Sequence, residues 1–170
     1  MSKLKEILLF VVMIGVVTIT FAACKDPEPP TDPQTQNIPL NGTGWKCLGF
    51  YDVDKKELQD LGPNDWKYTY IFHFDDSSYS NEAYTRVSQN YYSMNYSVDV
   101  STSAIEFTNI VRVTLAMDDA TDTLFINALK DARYFSSTEE ELKLFYNNKK
   151  NYLLFNRIYY NWFKGDSYGS

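Results

Sequence analysis

The chain has 170 residues, a formal net charge of −6, 22% charged residues and 16% aromatic residues, with 14 tyrosines among them. Its diffuse acidity excludes the basic footprint that nucleic-acid binding requires, and it gives no electrostatic pull toward anionic lipid. Only two cysteines and one histidine are present, too few for a disulfide scaffold or for the multi-ligand metal motifs of His and Cys.

Lys3 and Lys5 precede an apolar run from Ile7 to Ala23 that ends in Phe21-Ala22-Ala23-Cys24. The run is shorter than the roughly 20 apolar residues of a spanning helix. Its end resembles the lipobox of bacterial lipoproteins, in which the cysteine is lipidated and the preceding residues are removed. The expectation is therefore a lipoprotein signal peptide at 1–23, with lipid on Cys24 as the membrane anchor. An ordinary signal peptide cut after Ala23, or an uncleaved anchor, are the alternatives. Loss of Lys3, Lys5 and Glu6 moves the net charge from −6 to −7. Residues 24–43 hold five of the six prolines and no apolar period, which reads as an extended tether. Lys25-Asp26-Pro27-Glu28 resembles the short signal that sends lipoproteins to the outer surface of certain Gram-negative gut bacteria. The expected place is the outer membrane, with surface exposure preferred.

Residues 44–157 are the right length for one domain. Trp45–Val53 reads as a strand, with Cys47 as a small buried hydrophobe lacking a disulfide partner. Lys67–Asp75 alternates strictly, placing Tyr68, Tyr70, Phe72 and Phe74 on one face and Thr69, Ile71 and His73 on the other. Further strands are expected at Thr85–Val87, Asn95–Val100, Ile105–Thr108, Ile110–Thr114, Glu141–Tyr146 and Tyr152–Phe155. Turns fall at Gly62–Asp65, Asp75–Ser78 and Asn147–Lys150, the last closing a hairpin. Leu124, Phe125, Ala128 and Leu129 recur at helical spacing, so Asp122 to Asp131 is expected as one short helix capped by Thr121 or Asp122. The fold class is mainly β: an antiparallel barrel-like or sandwich domain of about seven or eight strands with one short helix. Residues 158–170 form an aromatic C-terminal tail, read as an added edge strand that frays, or as a sticky patch for a partner.

Chemistry is sparse. His73 has Asp75 two residues on and so on its own side of the strand, but HExxH, CxxC, GxSxG, SxxK and phosphate-binding glycine loops are all missing. Cys47 lies in an apolar strand and reads as a small buried hydrophobe rather than a reactive thiol. Asp118-Asp119 and Glu139–Glu141 read as a helix-start charge and a polar turn rather than as catalytic carboxylates. No catalytic residue, metal ligand or cofactor is assigned. Tyr79, Tyr84, Tyr91 and Tyr92 lie in a polar stretch where burying all four is hard, and they are the candidate binding surface.

Trp45–Phe50 (WKCLGF), the aromatic strand Tyr68–Phe74, Arg86, Asn90, Tyr96, Val98, Asp99, Thr114, the helix face Phe125, Ala128 and Leu129, and the hairpin Glu141–Phe155 occur in an order that resembles the META-domain, lipocalin-like lipoproteins of Gram-negative gut bacteria. The resemblance spans nearly all of Trp45–Phe155 and implies a compact antiparallel barrel-like fold with one helix and no agreed enzymatic activity. Two positions depart from it: Gln89-Asn90 stands where many such domains have Cys-Asn, and the usual glycine before the tyrosine strand is replaced near Met94. Asp122-Thr123-Leu124 resembles an O-glycosylation motif of the same bacteria, against a plain helix-start role. The function expected is a non-catalytic, lipid-anchored envelope module that recognises a protein or glycan, acting as a monomer. The alternatives are a lipocalin-type small-molecule carrier and a hydrolase around His73 and Asp75.

Overall fold

The computed structural model describes residues 37–61, 70–76 and 81–159. Cys24, the tether up to residue 36, Tyr68, Tyr79, the Gly62–Asp65 turn and the tail beyond Tyr159 lie outside them. The expected tether is corrected at its end: Asn37 and Ile38 bond to Ser137, and Leu40 and Thr43 are each 3% exposed, with Leu40 in the core, because an apolar side chain at the domain's edge gains by leaving water. Among the described residues nine antiparallel strands form one sheet: β1 Gly44–Asp52, β2 Glu57–Asp60, β3 Ile71–Phe74, β4 Glu82–Val87, β5 Asn90–Asp99, β6 Ala104–Arg112, β7 Tyr134–Ser137, β8 Glu141–Tyr146 and β9 Asn151–Ile158. Helix α1, Ala120–Asp131, lies between β6 and β7.

The order is β2-β1-β3-β4-β5-β6-β7-β8-β9, and β9 pairs back onto β1. The sheet therefore closes on itself, with β2 as a branch outside the closure. One edge of β1 serves two partners: Gly44–Lys46 pair with β3, and Gly49–Asp52 pair with β2. Gly49 is required where they cross, because a Cβ there would lie 2.3 Å from the Gln59 carbonyl oxygen.

The period-two patterns select the inward face. Trp45, Phe72, Phe74, Phe107, Leu142, Leu144, Leu153 and Phe155 are buried, each contributing about 1.5–3 kcal/mol through removal from water. Aromatic rings meet across the interior, with Phe72 at 5.4 Å from Phe107 and 6.2 Å from Phe155, and Phe74 at 4.9 Å from Tyr96. Cys47 belongs to this core, and burial pushes its thiol well above the usual range. Side chains occupy the interior, as the bulk of Tyr70, Phe72 and Phe74 leads one to expect.

The two closures of the sheet differ. β1 and β9 pair from Gly44↔Ile158 to Asp52↔Asn151, whereas β6 and β7 share one residue pair, Ala104↔Tyr134. α1 packs against both β6 and β8 beside that short seam. Phe125, Ile126, Ala128 and Leu129 are its buried face.

The helix begins two residues earlier than its periodicity indicates. Asp119 is the N-cap, accepting from the Asp122 N–H at 2.8 Å, and the Asp122 carboxylate reaches back to the Asp119 N–H to complete a capping box. Such a reciprocal pair satisfies two otherwise orphaned amides. Thr123 donates its hydroxyl to the Asp119 carbonyl at 2.9 Å, a helix-start role.

Candidate recognition surface

Antiparallel register decides which of the candidate tyrosines share a face. Arg86 stands opposite Tyr91, and Tyr84 opposite Ser93, on the outward side of β4 and β5. The Arg86 guanidinium lies 5.2 Å from the centre of the Tyr91 ring. Tyr92 turns the other way: it is 7% exposed and belongs to the core. The expectation of a common surface is corrected for Tyr92, because successive residues of a strand point to opposite faces. Tyr84 and Tyr91 remain on the surface.

His73 stands on the same outward side, directly opposite Tyr84 across β3 and β4. The Tyr84 hydroxyl donates to the Glu82 carboxylate. That bond, then burial, pushes the phenol up to about 12, so Tyr84 is a neutral donor rather than a base. Among the described residues no group of three His, Cys, Asp or Glu side chains is arranged to hold a metal ion.

Two buried polar side chains, Asn90 and Asp122, lie where α1 joins the end of the sheet. Asp122, 1% exposed, accepts from the Tyr70 hydroxyl at 2.7 Å and from Ser88 Oγ at 2.8 Å. Asp118 accepts from Asn90 Nδ2 at 2.6 Å and from the Tyr92 hydroxyl, and pairs with Arg112 at 3.4 Å. Burial first, and then the bond to Asp122, holds the Tyr70 phenol protonated, and Tyr92 is pushed up to about 12 by burial and then by Asp118. Each carboxylate is engaged by several donors, so the cluster ties the helix to the sheet.

A feature that the sequence reading passed over lies beside Tyr91. Val111 is opposite Ser93, and the Val113 N–H donates to the Tyr91 carbonyl at 2.8 Å. Val111, Val113, Leu115 and Met117 are 56%, 63%, 94% and 94% exposed. Alternation therefore continues past the end of β6 with its apolar side in solvent. A β-bulge around Asn109, whose φ is +51°, shifts the register here. From Glu106 to Arg112, β6 has β5 on one side and, among the described residues, no strand on the other. The signal was present in the sequence as Val111-Arg112-Val113-Thr114-Leu115-Ala116-Met117, but alternation alone does not say which face is covered.

At the opposite end of β6, beside the seam, an open groove of about 770 Å³ runs between Val98, Ile105, Tyr134 and Phe145. A smaller cleft of about 370 Å³ separates α1 from the β1–β2 hairpin.

No protein-family model matches the chain, and no curated protein matches it. Solved structures share its fold. A DUF4847 family protein from Bacteroides vulgatus aligns at a TM-score of 0.53 with 16% identity, covering 70% of this chain and 94% of its own. A protein from Burkholderia xenovorans, solved by NMR, aligns at 0.58 with 16% identity, covering 79% of this chain and 99% of its own. At this identity the likeness establishes architecture alone. Among the described residues no helix is long and apolar enough to cross a membrane.

Proposed function

We propose that the chain is a lipid-anchored outer-membrane lipoprotein whose β-domain recognises a protein partner without catalysis. The observation that carries this reading is the exposed strip Val111, Val113, Leu115 and Met117, continuous with Tyr91 and beside the edge of β6 that, among the described residues, no strand covers from Glu106 to Arg112. Contiguous apolar side chains in solvent mark interaction sites, and an open strand edge offers main-chain hydrogen bonds to an added strand. The fitting partner is an extended apolar segment of another protein, its alternate side chains lying on the strip.

Asn37 and Ile38, where the described chain begins, bond to Ser103 and Ser137, beside the start of β6. The strip lies beyond the other end of β6. The lipobox-like Cys24, the proline-rich segment and the META-like, lipocalin-like order of residues support the envelope setting.

The test is photo-crosslinking on intact host cells from a probe at Thr114, with Leu115→Glu and Val113→Lys as controls. A discrete partner lost in both variants, at unchanged Tm, is the expected result. A partner that survives both substitutions, or none at all, refutes the reading. Separately, Cys24→Ala should move the protein out of the membrane fraction. A small-molecule carrier is the second reading. Because side chains fill the interior, such a carrier would use the external groove, whose volume lies in the range of small-ligand sites.

A further inference from the structure

The groove at the β6–β7 seam carries an inference independent of the strand edge. Its first wall is aromatic: Tyr134 and Phe145 stand directly opposite each other across β7 and β8. Lys149 Nζ lies 4.1 Å from the centre of the Tyr134 ring, a cation–π contact that holds that ring in place. The aromatic row continues away from the groove through Tyr152, opposite Phe145, to Tyr51, with which Tyr152 stacks at 4.6 Å. Tyr134 is therefore the end of a supported row rather than a lone exposed ring.

The rim is polar and nearly balanced in charge. Asp99, Glu106 and Asp131 face it against Arg133 and Lys149, and the Asn147 and Asn148 amides lie beside them. A strongly anionic or cationic ligand gains little from such a rim, and an aliphatic ligand would strand the carboxylates and amides. Carboxylates and amides beside aromatic rings instead match the hydroxyls and the apolar C–H faces of sugars.

Backbone conformation singles out the same place. Asn147, Asn148 and Lys149 have φ of +50°, +53° and +65°, three successive left-handed residues without a glycine. Asparagine tolerates that region, but lysine does so at a cost of about 1–2 kcal/mol. A glycine at 149 would relieve the strain and lose the contact with Tyr134. Backbone strain of this kind concentrates at functional sites.

We infer that this groove binds a neutral oligosaccharide, stacked on Tyr134 and Phe145 and hydrogen-bonded by Glu106, Asp131 and the asparagine amides. The experiment is isothermal titration of the full chain, in a non-glycosidic detergent, with cellohexaose, mannohexaose, xylohexaose and maltohexaose. At least one should bind, with a Kd of about 0.1 mM. Lys149→Gly should keep or raise Tm while weakening that sugar about tenfold, and Tyr134→Ala should weaken it at least as much. Leu115→Glu, on the separate strip, should bind the sugar as the parent does. If none of the four sugars binds the folded parent, or if Lys149→Gly binds as tightly as the parent, the inference is overturned. Neither result bears on the crosslinking experiment.

Discussion

Removing the Asp122 carboxylate is the sharpest test of how the helix is held. In Asp122→Ala the Tyr70 and Ser88 hydroxyls, now at 2.7 and 2.8 Å from Asp122 Oδ1, lose a charged acceptor in a site that is 1% exposed. A hydrogen bond to a charged group contributes about 1.5–3 kcal/mol, and losing half of the capping box adds about 0.5–1 kcal/mol. Relief of the buried charge returns part of this. A net loss of about 3–5 kcal/mol follows, a large fraction of the stability of a domain this size. Tyr70→Phe removes one of the two donors and leaves Ser88 in place, so it should cost about 1–2 kcal/mol. Because both substitutions break the same bond, the double variant should fall short of the sum by about 1–2 kcal/mol. Urea denaturation at pH 7, followed through tryptophan fluorescence, measures all three. An Asp122→Ala cost below about 1 kcal/mol, or additivity within about 0.5 kcal/mol, would refute a cooperative tie.

Phe155→Ala should cost about 3–5 kcal/mol, as the cavity would open in the packed interior, whereas Leu115→Ala should stay within about 0.5 kcal/mol because that side chain touches solvent; thermal unfolding separates the two. Gly49→Ala drives a Cβ into the Gln59 carbonyl, 2.3 Å away, and should detach β2 from β1, read as faster proteolysis near Glu57–Asp60. Tyr92 is raised from the ordinary 10 to about 12 by burial and the Asp118 bond. The folded state therefore resists losing that proton more than the unfolded chain does. The stability Tyr92 contributes is complete below pH 10 and is lost as pH climbs from 10 toward 12. Wild type should therefore lose stability over that window more steeply than Tyr92→Phe, by up to about 1.4 kcal/mol per pH unit, in denaturation midpoints taken across it.

Much of the architecture was legible because one face of each strand is buried. Expected and observed limits agree for Glu141–Tyr146, and Tyr70, Phe72 and Phe74 took the inward face that their alternation assigns. Two strands escaped the reading. β2 is exposed at all four positions, so no apolar period marks it, and β7 is only four residues long. Other strands differ in length: β4 starts at Glu82 rather than Thr85, and β9 runs Asn151–Ile158 rather than Tyr152–Phe155. Ile105–Thr108 and Ile110–Thr114 are one strand, interrupted by the bulge at Asn109. β5 begins at Asn90 rather than Asn95, and that shortfall put Tyr92 on the surface: had the strand been extended back, alternation would have parted it from Tyr91. The exposed strip and the seam groove depend on which elements fail to meet. That information is spread over pairings distant in sequence and lies in no single window.

The pairing of β1 with β9 also governs how such a chain can be made. Gly44 and Ile158 are neighbours in the sheet though more than a hundred residues apart, so that contact carries a high loop-closure cost and slows folding. In a chain emerging from its N-terminus, the inward row of β1, with Trp45 at its head, waits uncovered until nearly the whole domain exists. Incomplete chains thus expose the residues the finished one hides best, and truncation anywhere before β9 should yield aggregation rather than a smaller fold.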